Sequence, residues 1–229
     1  MKNIITAVLV SLTAISFSQS NQVQNASNYL RNKEFDKAKA SADAAAVHES
    51  TMNNPKLWKY RGQIYQEIYF SKEPAIKNLD AEAEEKALES YINCFKNDKD
   101  KFYSTEEGGV KGLIVQATAA VSNKANAYKI NKEFDKALYC YELLEQALPF
   151  DFDQGMKRAN ITKEKLMYNK FETYRVAANK NKMVEYAEKL INIKYKEPKI
   201  YTDMVKICMV DRDTVKALEY IGKGKLMFE

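Results

Sequence analysis

The heptapeptide Asn-Lys-Glu-Phe-Asp-Lys-Ala stands twice in this chain, at 32–38 and, unchanged, at 131–137. Chance rarely copies seven residues within 229, so the copy points to internal duplication and a fold built from repeated units. Each copy opens an apolar pattern at helical spacing. Phe35, Ala38, Ala42 and Ala45 follow the first, and Phe134, Ala137, Tyr141, Leu144 and Leu148 the second. Such spacing gathers side chains on one face of a helix. The chain therefore reads as all-α, an array of helical hairpins, and such arrays bind more often than they catalyse.

Residues 1–18 are set aside as an export signal. Met1-Lys2 is basic, Ile4–Ile15 is apolar but too short to span a bilayer comfortably, and Ser16 and Ser18 are small residues at the two sites signal peptidase reads. Cleavage is expected between Ser18 and Gln19; the alternative is an uncleaved N-terminal anchor. No cysteine lies near the cleavage point, which argues against lipoprotein processing, and nothing after residue 19 resembles a second membrane segment. Removing the signal takes one lysine and no acid, so the formal charge falls from +5 to +4 over a mature chain of 211 residues, 19–229. The expected location is periplasmic or secreted, without stable membrane insertion.

Basic residues are mostly lysines interspersed with glutamates, and the arginines are only Arg31, Arg61, Arg158, Arg175 and Arg212. That pattern is a solvated surface rather than a nucleic-acid reader. Cys94, Cys140 and Cys208 have neither the count nor the spacing of a disulfide framework or zinc site. Buried free thiols are the first reading, and a Cys94–Cys140 bridge the alternative.

With seven glycines and four prolines, the chain has an all-helical composition. Hairpins are expected at about 21–49, 56–96, 110–148, 161–193 and 200–227. Alanines that open their second helices fall at 38, 87, 137, about 187 and 217. Asp80, Glu82, Glu84 and Glu85 suit the positive end of a helix beginning near Ala81, with Glu82 and Lys86 paired at i,i+4.

These residues resemble the tetratricopeptide-repeat (TPR) family, whose first helix carries an aromatic, a small residue and a tyrosine, and whose second carries alanine, aromatic and alanine before a closing proline. Trp58, Gly62, Tyr65, Ala87, Tyr91 and Cys94 match in the second unit, and Ala125, Tyr128, Phe134, Ala137, Tyr141, Leu144 and Pro149 in the third. Ala26, Tyr29, Phe35, Ala38, Ala42 and Ala45 match in the first. Arg61 stands where the pattern prefers leucine, the second unit holds about thirteen extra residues, and the last two units match loosely. The resemblance covers residues 20–149 well. It implies a right-handed superhelical α-solenoid whose first helices line a concave groove for a protein or peptide partner. It places Arg31, Lys56, Lys59, Gln63, Gln66, Asn126 and Lys129 in that groove. Lys59 and Asn126 correspond to parts of the family's carboxylate clamp, the rest of which is missing.

No catalytic, cofactor or metal residue is assigned. His48, the single histidine, stands at an expected helix end. Asp151 and Asp153 lack the following ligands of an EF-hand loop, and neither Gly108-Gly109 nor Gly222-Lys-Gly224 makes a phosphate loop. Three functions follow: an exported TPR adaptor or scaffold, a structural subunit of an envelope complex, or an accessory ligand-binding protein or enzyme using the irregular segments 70–86 and 150–165. The intact mass of the exported protein is expected to correspond to a chain beginning at Gln19. A mass retaining residues 1–18 would replace the soluble location with an anchored one.

Overall fold

The computed structural model describes residues 21–106 and 108–229, so the proposed signal and its cleavage point lie outside the described residues. Regular structure among the described residues is entirely helical. Residues 21–31 form α1, followed by α2 (Phe35–Ala46), α3 (Pro55–Phe70), α4 (Pro74–Lys77), α5 (Ala83–Asn97) and α6 (Lys111–Ile130). Then come α7 (Phe134–Ala147), α8 (Gly155–Arg158), α9 (Lys163–Val176), α10 (Lys180–Asn192), α11 (Pro198–Val210) and α12 (Thr214–Phe228). No helix among the described residues is long and apolar enough to cross a membrane.

The duplicated heptapeptide makes the same turn in both places. Lys33 and Lys132 adopt left-handed φ values of 60° and 63°. The Glu34 and Glu133 amides donate five residues back, to Tyr29 and Tyr128 carbonyls, at 2.9 and 2.8 Å. The Lys33 and Lys132 amides donate to Leu30 and Lys129 at 3.1 and 3.2 Å. This is the Schellman ending of a helix, which satisfies carbonyls that would otherwise be orphaned. Ala178 and Arg212, at φ 56° and 59°, repeat it where the sequence differs. There the Asn179 and Asp213 amides reach Tyr174 and Cys208 carbonyls at 2.9 and 2.8 Å. Their side chains then cap the next helix, on the Lys182 and Lys216 amides.

These turns set the register of the helices that follow. Four residues after each turn stand Ala38, Ala137, Met183 and Ala217, whose amides bond the carbonyls of Glu34, Glu133, Asn179 and Asp213. Three are alanines with at most 2% exposure. In the fourth pair the equivalent residue is Met183, which corrects the expected Ala187. The fourth and fifth pairs thus repeat at 34 residues, from Ala178 to Arg212, rather than at 30.

The chain divides into two compact units: one takes the described residues up to Val121 with Gln146–Met156, the other Ser122–Glu145 with Lys157–Glu229. In the first, Ala26, Ala38, Ala42, Ile64, Tyr65, Ile68, Ala83 and Ala87 form a buried cluster, and α3 packs on α2 and α5. Arg61 is buried here, for a reason that a leucine preference does not supply. Its Nε donates to Asp43 at 3.0 Å and its Nη1 to Ser90 at 2.8 Å, while the Tyr65 hydroxyl donates to Asp43 as well. Asp80 accepts from Lys86 at 2.8 Å and faces Lys39 at 3.4 Å. The second unit is centred on Phe171, Ala187, Leu190, Ile200, Met204 and Ala217. All three cysteines are free and buried, so the Cys94–Cys140 bridge does not form. Phe134, expected as a core aromatic, is only half-buried at the start of α7; Tyr141, one face lower, is fully buried.

Gly62 is fixed by packing. A Cβ there would lie 2.3 Å from Cε1 of the buried Tyr91, whereas at Gly222 it would meet nothing within 4 Å. Gly62→Ala is expected to destabilise by about 1–3 kcal/mol through overpacking, against the gain of about 0.5–1 kcal/mol that alanine ordinarily brings to a helix. Gly222→Ala should show that gain. Urea melts of the two variants read both signs, and a stabilised Gly62→Ala would break the packing account.

Candidate functional site

In the first unit the turn after α1 and one face of α3 border a pocket of mixed character lined by Leu30, Arg31, Lys33, Phe35, Gln63, Gln66, Glu67 and Leu113. Three of the expected groove residues, Arg31, Gln63 and Gln66, therefore come together. Their freedom differs. Gln66 is buried and committed: its amide nitrogen donates to Gln116 at 3.1 Å and its oxygen accepts from the Tyr91 hydroxyl. Arg31 is exposed and bonds Asn28 on its own helix. Gln63 is half-buried on the same face.

Lys56 and Lys59 stand on α3 but do not line this pocket. The Lys56 ammonium lies 6.0 Å from the centre of the Tyr60 ring, and that of Lys59 lies 6.0 Å from the Tyr103 ring in the loop before α6. That loop is held by Asp98, whose carboxylate accepts from the Tyr103 and Ser104 amides at 2.7 and 2.6 Å. Aromatic contact with the loop, invisible to helical spacing, makes Lys59 half-buried rather than a free groove cation.

Asn126 and Lys129 belong to the second unit, where Asn126 is exposed and Lys129 half-buried. Around Lys129 gather groups from α9 and α11 that sequence reasoning passed over: Lys165, Arg175, Lys199 and the acidic Glu172. Glu172 accepts from Arg175 at 2.9 and 3.0 Å and faces Lys199 at 3.4 Å. Arg175 also faces Asp203 at 3.7 Å. Lys165 lies 5.0 Å from the ring centre of Tyr168, which stacks on Tyr195 at 5.5 Å. A signal was present in the sequence, since Lys165, Tyr168, Glu172 and Arg175 recur at three- and four-residue steps on α9.

The electrostatics follow from Lys129, Lys165, Arg175 and Lys199 gathered around Glu172, with Asp203 facing Arg175 and Lys206. Burial holds the Lys129 pKa below the ordinary lysine value; Glu172 opposes this, while Lys165, Arg175 and Lys199 add to it. Burial acts to raise the Glu172 pKa, yet Arg175 and Lys199 hold it below the usual glutamate value. Burial pushes the Tyr168 hydroxyl up to about 12, so it stays protonated near neutral pH. Acids stand near both tyrosines as well, Glu172 and Glu197 at Tyr168 and Glu197 and Glu164 at Tyr195, so cations and acids are interleaved around the stacked rings.

The irregular segments use their polar groups internally. Asp80 is taken by Lys86 and Lys39, Asp151 accepts from the Met156 amide at 3.0 Å, and Asp153 pairs with Lys111 at 3.0 Å. His48 lies in the turn after α2, bonded to Ser50. No protein-family model matches the chain, and no curated protein matches it either.

Because the folded state holds the Lys129 proton less tightly than the unfolded state does, its charge opposes folding below the folded pKa. That opposition fades as pH rises toward the free-lysine value of 10.5. Lys129→Met is expected to raise the melting temperature at pH 7, and the difference from wild type should shrink as pH approaches 10. Glu172→Gln, which removes the shared countercharge, should cost about 1–3 kcal/mol. A destabilised Lys129→Met at pH 7 would mean that the lysine is compensated.

Proposed function

We propose that the chain is an exported TPR-like adaptor of a bacterial envelope, which binds an acidic segment of a partner protein along the first helices of its repeats. The observation that carries this reading is the cation cluster of the second unit, where Lys165, Arg175 and Lys199 gather around the half-buried Lys129, opposed there by Glu172. A carboxylate at this place would supply what Glu172 supplies only in part, and the neighbouring tyrosines would take apolar or aromatic side chains of the same segment.

Several features support the TPR-like reading. The turns at Lys33, Lys132, Ala178 and Arg212, and that at Lys194 as well, share one Schellman geometry, the last two pairs repeat at the 34-residue TPR period, and small residues sit buried at equivalent places. Repeats of this kind stack into right-handed solenoids whose first helices share a concave face. Export follows from the N-terminal sequence pattern.

The reading is tested by crosslinking in the native envelope, with mass spectrometry to identify the captured protein. Lys165→Glu with Lys199→Glu should lose at least ten-fold in affinity for that protein while keeping wild-type helicity. Wild-type binding should weaken as salt rises, because exposed charge contacts are screened. Unchanged recovery from the double variant would rule this face out. Co-purification at fixed stoichiometry, insensitive to both changes, would instead favour a structural subunit.

A further inference from the structure

We infer that the open face of the α11–α12 pair is a docking groove for one amphipathic helix of a partner protein, bearing acidic residues beside its apolar stripe. The groove floor is apolar, made by Tyr201 and Val205 of α11 with Tyr220, Ile221 and Phe228 of α12. Its only charged lining residues are Lys206 and Lys225.

The chain itself shows what such a face receives. The turns at Ala178 and Arg212 put the α9–α10 and α11–α12 pairs in register at 34 residues. In that register Tyr201, Val205, Ile221 and Gly224 correspond to Met167, Phe171, Ala187 and Leu190. Those four belong to the cluster that α11 joins, through Ile200, Met204 and Cys208. The groove is thus the equivalent of the seat that α11 occupies on the preceding pair. A helix fits it because a helix already fills its counterpart, with apolar residues at i, i+4 and i+8.

The differences between the two seats specify the partner. Gly224 replaces Leu190, which leaves a notch beside Tyr201 for a bulky apolar side chain from the incoming helix. Lys206 replaces Glu172. On the occupied seat Glu172 faces Lys199, the residue just before Ile200 of α11, at 3.4 Å. On the open seat that place holds Lys206, 76% exposed although it faces Asp203 of its own helix at 3.5 Å, so an incoming helix is complemented there by an acid. A second copy of this chain presenting its own α11 would set Lys199 against Lys206, which disfavours self-association through this seat.

The probe is a synthetic sixteen-residue helical peptide with leucines at i, i+4 and i+8, and glutamates flanking them; a control carries lysines instead. Fluorescence anisotropy with the whole exported chain should show the glutamate peptide binding at least ten-fold more tightly than the lysine peptide. Lys206→Glu should reverse that preference, and Ile221→Glu should abolish both, with helicity unchanged by circular dichroism. Lys206 is 76% exposed but faces Asp203 at 3.5 Å, so Lys206→Met, which removes the charge without setting an acid beside Asp203, is the second variant and should level the two peptides. Three results would overturn the proposal: no binding of the glutamate peptide, a sedimenting dimer that Ile221→Glu dissociates, or competition by phosphatidylglycerol vesicles at the same residues.

Discussion

The contact between Gly62 and Tyr91 governs the first unit. With no side chain at position 62, the Tyr91 ring lies directly against the α3 backbone, and α3 and α5 pack closely. The ring then sends its hydroxyl to Gln66, which in turn holds Gln116. One missing methyl group thus places a buried polar chain beneath the pocket bordered by Arg31 and Gln63. A buried amide must find partners or bear a desolvation cost, and this close approach lets Gln66 find two.

Charge is handled differently in the two units. In the first, Asp43, Arg61, Tyr65, Ser90, Asp80, Lys39 and Lys86 form linked pairs whose donors and acceptors answer one another. Breaking such a set leaves a charge stranded, so it specifies how α2, α3 and α5 meet. In the second, Lys129 sits among three further cations with Glu172 as the shared acceptor.

The fold was legible where local rules suffice. Helical spacing after the heptapeptide announced α2 and α7 correctly, while the start of α3 is fixed by the Asn54 side chain, which caps the Lys56 amide. Helix ends were less exact: α2 stops at Ala46, since the 47–53 segment closes on Thr51, whose hydroxyl bonds the Ala45 carbonyl at 2.6 Å. The site was legible only in part. Of seven groove residues, Arg31, Gln63 and Gln66 share a pocket, while Lys56 and Lys59 lie near tyrosine rings and Lys129 joins a cluster from other helices.

The sequence by itself determined the helices, their apolar faces and the buried alanines, because these depend on residues within a turn or two of one another. It also announced the duplicated turn, though not that Ala178 and Arg212 would repeat it without a shared motif, since the Schellman geometry is set by backbone hydrogen bonds that many residues can accept. Only the tertiary structure decided that Arg61 is neutralised by Asp43 and that Glu172 must serve several cations. Those outcomes depend on which helices become neighbours. That is a property of packing across tens of residues, to which spacing along one helix is blind.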